Sequence, residues 1–344
     1  MDILVNSHLF KLVENSSFYT TIDKIDIRII FFKLLRRLIR PLFQGDKYKN
    51  TNKHTSLDKV KANSLIYEIL RAKSPCFIGR FGKSELTAML VHWHKKSKTE
   101  NKSWKYLKGE IYQYWWEADK IDLINKNAGV FPREMEIIEQ YCELMLEDCK
   151  NIDILGSWLG GEKDFFHLFP TSKKVSFIDL EPYRHKKPWS KALENQKVLI
   201  IHPFEKTILH QYQRRKLLFE YQNVLPNFEI KTIKAVQSIA GNQPEGFNDW
   251  FEALDSMKRK IDKVNFDIAI IGCGAYGFPL AAYVKRIGKK AVHLGGATQI
   301  LFGIKGQRWD SDPFVSKLYN EHWIRPLKDD IPKNHESIEG GCYW

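Results

Sequence analysis

Two glycine turns hold most of the residues in this sequence whose types and spacing could do chemistry. The first reads Gly79-Arg80-Phe81-Gly82-Lys83-Ser84-Glu85-Leu86 and follows the apolar run Cys76-Phe77-Ile78. Arg80 and Lys83 offer two cations to a diphosphate, and Glu85 offers a carboxylate to a divalent metal or a sugar hydroxyl. A carboxylate in the first turn of a helix is also favoured by electrostatics alone. A capped helix with a surface ion pair is therefore the competing reading. The second turn, Gly272-Cys273-Gly274-Ala275-Tyr276-Gly277, follows the run Asp267-Ile-Ala-Ile-Ile and opens a predicted helix. This is a GxGxxG pattern in the right context: glycines let backbone approach a phosphate, and the helix N-terminus supplies oriented N–H groups. Three features argue against a dinucleotide. The turn comes late in the chain, Pro279 occupies the first helical turn, and the next strand ends in His293-Leu294-Gly295-Gly296 where a ribose-binding acid is expected. A mononucleotide phosphate fits better, with tight helix packing as the alternative use of the glycines.

Weaker signals follow other apolar runs. The predicted strand 197–201 leads into His202-Pro203-Phe204-Glu205-Lys206-Thr207, where His202 is either functional or a satisfied buried histidine. Asp179-Leu180-Glu181 and the stretch from Trp158 to Asp164 are placed to line an acceptor cleft or to be ordinary loops. The run 235–242, Ala-Val-Gln-Ser-Ile-Ala-Gly-Asn, suits contact with a base or sugar.

The elements that must position these residues alternate. Helices are predicted over 57–73, 84–94, 133–149, 208–221, 247–264 and 278–287, and strands over 76–79, 152–155, 175–178, 197–201, 229–233, 267–271 and 291–294. The aromatic stretch 104–116 reads as irregular. Short apolar runs between amphipathic helices imply parallel strands with crossover helices. The fold class is α/β, a Rossmann-like doubly wound and mostly parallel sheet preceded by an amphipathic helix. Three units are expected: 1–56 with the basic helix and a linker over 44–56, an α/β half over 57–190, and a second half over 191–344 with the GxGxxG turn.

Composition narrows the partners. The 344 residues carry 54 Lys+Arg against 41 Asp+Glu, a net charge of +13. A charge of that size suggests an anionic partner: nucleic acid, a membrane surface or a phosphorylated substrate. Basic residues are scattered outside the N-terminal helix and no recognition module occurs, so no specific nucleic acid is expected. On a helical wheel Phe31, Leu34, Leu35, Leu38 and Leu42 fall on one face, with Lys33, Arg36, Arg37 and Arg40 opposite. That segregation suits an interfacial helix on anionic headgroups. A helix packed on the domain or on a second subunit is the competing account, and a homo-oligomer is compatible with it. The five cysteines form no CxxC pair, no run of about 18 apolar residues occurs, and the N-terminus lacks a secretory pattern. The expected location is the cytoplasm, peripheral on the inner face of the cell membrane.

In their order along the chain these motifs resemble the GT-D class of bacterial glycosyltransferases. The resemblance rests on Arg80-Phe81-Gly82-x-x-Glu85, on Glu205-Lys206-Thr207 after a strand, and on Leu280-Ala281-x-x-x-Lys285-x-x-Gly288-Lys289-Lys290-Ala291 with a following strand that ends in Leu294-Gly295. The stretches 295–309 and 339–344 also resemble proteins encoded among bacterial surface-polysaccharide genes. The resemblance implies a Rossmann-like domain, a nucleoside diphosphate sugar donor, a glycan or lipid-linked acceptor, and an Asp-x-Glu motif in the first turn. Lys83 stands where that motif has Asp, leaving Glu85 as the only metal ligand for manganese or magnesium. The implied donor-binding residues are Arg80, Gly82, Lys83, Gly272, Gly274, Tyr276, Gly277, His293, Gly295 and Gly296. Candidates to take the acceptor's proton are Glu85, His202, Asp179, Glu181 and His293. A nicotinamide-dependent oxidoreductase acting on a sugar or nucleotide sugar, and a non-catalytic binder of anionic ligands, are the alternatives.

Overall fold

The computed structural model describes residues 27–43, 48, 55, 57–337 and 340–344. Seven short runs become strands: β1 (Cys76–Gly79), β2 (Ile154–Ser157), β3 (Lys173–Ser176), β4 (Lys197–His202), β5 (Glu229–Lys234), β6 (Ile268–Ile271) and β7 (Lys290–His293). All pair in parallel in the order β3-β2-β1-β7-β6-β4-β5. The chain is thus α/β and Rossmann-like, and the β1–β7 pairing joins residues from both halves of the sequence in one sheet.

The helices are α1 (Ile27–Ile39), α2 (Lys59–Arg71), α3 (Lys83–Lys96), α4 (Lys102–Lys108), α5 (Ala118–Asp122), α6 (Met135–Asp148), α7 (Glu205–Gln213), α8 (Trp250–Ile261), α9 (Gly277–Arg286), α10 (Ala297–Leu301) and α11 (Gln307–Asp310). Local chemistry sets several boundaries. Asp58 caps α2 by accepting from the Lys61 N–H at 2.9 Å, and Ala62, Ile66 and Leu70 then bury one face. Asp249 accepts from the N–H groups of Phe251 and Glu252, so α8 starts at Trp250, inside the predicted 247–264. The predicted helix 208–221 begins earlier and ends earlier, as α7. Its first turn is held by Asp330, which accepts from both the Thr207 N–H at 2.8 Å and its hydroxyl at 2.6 Å.

Side chains alternate across the strands, as a period of two requires. Phe77, Leu155, Leu199, Ile201 and Ile271 pack with α3, α6, α8 and α9 on one face. Ile78, Ile154, Val198, Ile200 and Val292 pack with α2, α7 and α10 on the other. The strand order explains this segregation. Crossovers β1 to β2, β5 to β6 and β6 to β7 all step in one direction along the sheet, and β4 to β5 steps the other way. Right-handed crossovers must therefore lie on opposite faces.

The N-terminal helix departs from the predicted arrangement. It covers Ile27–Ile39 and tightens into a 3-10 turn at Arg40–Leu42, which contains Pro41. Ile29 and Phe32, each 5% exposed, dock it against Tyr106, Leu107, Ile111 and Trp115, with Leu35 and Ile39 partly covered. Arg36 lies 4.1 Å over the Tyr106 ring and Lys33 pairs with Glu117 at 2.6 Å. Phe31, Leu34, Leu38 and Leu42 stay exposed, so of the five residues placed together on the wheel only Leu35 is held by the domain. A wheel ranks hydrophobicity, whereas docking here follows the shape of the aromatic cluster beneath. The rest of 1–56, apart from Tyr48 and Thr55, lies outside the described residues.

Candidate functional site

Parallel strands whose following segments leave on opposite faces open a crevice at their carboxyl ends. Helices α3 and α9, after β1 and β6, go to one face, whereas α7 and α10, after β4 and β7, go to the other. A cavity of about 490 Å³ lies there, and the carboxyl end of each of the seven strands contributes to its wall.

The β1 turn forms its cationic side. Gly82 is the N-cap of α3, Lys83 is its first residue and is exposed, and Glu85 lies in the first turn. The Glu85 carboxylate folds back toward the helix N-terminus, so that a Cβ at position 82 would run into it. Burial raises the Glu85 pKa above the ordinary glutamate value, opposed by a bond from its own N–H and by the charge of Arg80. Arg80 reaches across to the β7 turn, where its Nε–H donates to the Leu294 carbonyl at 3.4 Å. Its guanidinium also stands 5.9 Å from the Trp158 ring. Trp158 is held in turn by its indole N–H donating to the Phe81 carbonyl at 3.0 Å and its backbone N–H donating to Glu162 at 3.2 Å. Glu162, fully buried, also accepts from the Ser157 hydroxyl and the Leu159 N–H, yet burial pushes its pKa up to about 7.

In the β6 turn the three motif glycines serve close packing. A Cβ on Gly277 would collide with the His293 imidazole, one on Gly272 with Gly295 and Thr298, and one on Gly274 with the Ala128 carbonyl. Gly272 and Gly274 line the cavity as well, together with Arg80, Gly82, Lys83, Glu85, Glu181, His202, His293, Gly295 and Gly296. Tyr276 and Gly277, expected at the donor, do not line it. Tyr276 stacks on Trp250 at 4.9 Å and its hydroxyl meets Ser238 at 3.0 Å, so the middle of this turn is core.

Both histidines are buried and neutral, each held by burial at a pKa of about 3, with Arg80 adding to the effect on His293. His202 Nδ1 accepts from the Phe204 N–H at 3.0 Å, which places its proton on Nε2. His293 Nδ1 faces the Ile271 carbonyl at 3.3 Å and so carries the proton, leaving Nε2 as an acceptor. Among the carboxylates, Asp179 is 4% exposed and does not line the cavity. The segment turns after β3 so that Glu181 faces the cavity instead. Burial raises the Glu181 pKa, and the side chain is ion-paired with Arg184. Asp312, at the rim, accepts from the N–H groups of Phe314 at 2.9 Å and Val315 at 2.7 Å. Glu85 is thus the lining carboxylate whose oxygens are not given to an arginine pair or a loop cap. No group of three or more His, Cys, Asp or Glu side chains is disposed to hold a metal among the described residues. With Lys83 next to it, Glu85 alone is a poor donor set for manganese or magnesium.

The far wall was assigned no role from sequence. Residues 341–344 fold back over α10 and α11: the Arg308 N–H donates to the Cys342 carbonyl at 2.9 Å, the Gln307 N–H to the Trp344 carbonyl at 3.2 Å and the Gln299 amide to the Tyr343 carbonyl at 3.1 Å. This strap brings Tyr343 and Trp344 beside Trp309 and Phe204, and sets the Arg308 guanidinium 4.8 Å from the Tyr343 ring. Arg184 and Gln237 also line the cavity. Only the aromatic density of 339–344 hinted at such a wall, because the spacing of these residues in sequence matches no local element. No family model, curated protein or solved structure matches this chain.

Proposed function

We propose that the chain is a glycosyltransferase that moves a sugar from a nucleoside diphosphate sugar to a hydroxyl of a cell-surface polysaccharide or lipid-linked glycan precursor. The observation that carries this reading is the pairing of a cationic turn at a helix N-terminus with an aromatic wall in one cavity at the strand ends. Arg80, Lys83 and the N-terminus of α3 suit a diphosphate, whose negative charge grows as it leaves. Trp309, Tyr343 and Trp344 suit the flat faces of a base or sugar ring. In the transfer, the acceptor oxygen bonds to the anomeric carbon, the bond from that carbon to the diphosphate oxygen breaks, and the acceptor's proton passes to the Glu85 carboxylate. A carboxylate with a raised pKa suits that task. His202 Nε2–H and His293 Nε2 can donate to and accept from ligand hydroxyls without changing charge. Lys83 supplies the positive charge that the resembled class draws from a metal. An acceptor held in a lipid layer places the reaction at the inner face of the cell membrane.

A thermal-shift series of uridine and guanosine diphosphate sugars, with nicotinamide dinucleotides for comparison, tests the reading. A ligand bound only by the folded state raises its melting temperature. A nucleoside diphosphate sugar should raise it, and Arg80→Ala should remove the rise while still folding. No rise with any nucleotide sugar, or a rise with a nicotinamide dinucleotide alone, would reject it.

A further inference from the structure

Helix α1 is held to the domain by one side and presents a second apolar side to solvent. Ile27, Ile30, Phe31, Leu34 and Leu38 are all exposed, with Leu38 and the following Leu42 each at 74%. At about 100° per residue these positions fall within an arc of roughly 120°. The docked side, through Ile29, Phe32 and Arg36, faces away from it. The surroundings are cationic. Away from its docked side helix α1 carries Arg28, Lys33 and Arg37, α4 adds three lysines, and neither helix contains an acidic residue. Lys33 and Lys108 meet Glu117 and Glu110, and the two helices carry cations with no carboxylate of their own. At the end of α1, Phe43 packs edge-on against Trp104 at 5.8 Å, and the Lys108 ammonium lies over both rings. Aromatic rings beside a lysine are what a membrane–water interface accommodates.

We infer that α1 lies in the plane of an anionic lipid surface, with Phe31, Leu34 and Leu38 in the acyl boundary and the flanking cations among the headgroups. The helix has 13 residues, too few to cross a bilayer, and no described helix is long and apolar enough to do so. A second copy of the chain is the less suitable occupant, because a two-fold contact would set the same cationic flanks against each other. An anionic lipid surface takes both the apolar arc and the charge. This names the face that carries the membrane placement proposed above, and it rests on that placement but not on the donor chemistry.

Flotation of the full chain with phosphatidylglycerol–phosphatidylcholine vesicles and with pure phosphatidylcholine vesicles, at low salt, tests it. The chain should float with the anionic vesicles and about tenfold less with the neutral ones. F31D/L38D should lose flotation on both, and R37E should weaken it on anionic vesicles only. Both variants should keep the melting temperature and the nucleotide-sugar shift of the parent, which separates failure here from failure of the donor reading. Equal flotation on both lipids, none on anionic vesicles, or unchanged flotation of the folded F31D/L38D variant would overturn the assignment. A dimer that F31D/L38D converts to a monomer, with no vesicle capture by the parent, would assign the face to a second copy.

Discussion

The guanidinium of Arg80 lies directly over Gly295, where a Cβ would run into its Nη2. Gly295 also has φ +59, in the left-handed region that glycine enters without steric cost. Two requirements, one local and one tertiary, thus fall on the same residue. The positions are 215 apart in sequence, yet together they brace the cationic turn of β1 against the end of β7.

Gly295→Ala should therefore separate fold from binding. The left-handed backbone costs about 1 kcal/mol for alanine, a modest fall in melting temperature. Displacement of Arg80 should weaken nucleotide-sugar affinity by about tenfold or more, read by calorimetric titration. Parent-like affinity in the folded variant would remove Arg80 from the diphosphate contact.

Glu85→Gln should leave the melting temperature nearly unchanged and lower kcat by about 10²- to 10⁴-fold, the usual span for a lost general base. The Glu85 pKa lies above the ordinary glutamate value, and the base must be ionised. Activity of the parent should accordingly fall as pH drops through that raised pKa, earlier than an exposed glutamate would cause. The acidic limb of the kcat/KM profile should vanish in the variant. A variant that keeps both rate and limb would transfer the role elsewhere in the cavity.

Glu162 gives a pH dependence of stability with the opposite sense from a paired carboxylate. Its folded pKa is raised to about 7, so the folded state keeps a proton that the unfolded chain has released. Stability from this group is complete below the unfolded value near 4.3 and declines as pH rises toward 7. At about 1.4 kcal/mol per pH unit the decline is on the order of 3 kcal/mol. Glu162→Gln, which retains an acceptor for the Trp158 and Leu159 N–H groups, should flatten denaturant midpoints over that interval. Midpoints that rise with pH in the parent and not in the variant would contradict the raised value.

The sheet was legible because β1, β2, β4 and β6 are short apolar runs buried along nearly their whole length, a signal that needs only the run itself. The β1 turn was legible for a similar reason, since a strand, a glycine and a helix start are all local. What escaped depends on residues far apart. The start of α7 is set by Asp330, which lies 123 residues beyond Thr207. The aromatic wall needs residues 341–344 to fold back over α10 and α11. Whether Asp179 or Glu181 faces the cavity turns on the path of the segment after β3. The face on which α1 docks depends on the pocket offered by Tyr106, Leu107 and Trp115, which no helical wheel contains.

The place of β1 in the sheet also bears on how the chain comes to be folded. It is the first of the seven strands among the described residues and β7 is the last, yet they are hydrogen-bonded neighbours in the middle of the sheet. A ribosome must deliver the chain past residue 293 before that seam can close. Until then β1, β2 and β3 end in an open edge whose apolar faces invite pairing with other chains. Separated at the loop between β3 and β4, each half would keep such an edge permanently, at β1 in one piece and at β7 in the other. Contacts of this sequence separation are closed late and slowly, so newly made chains should rely on chaperone capture more than finished ones.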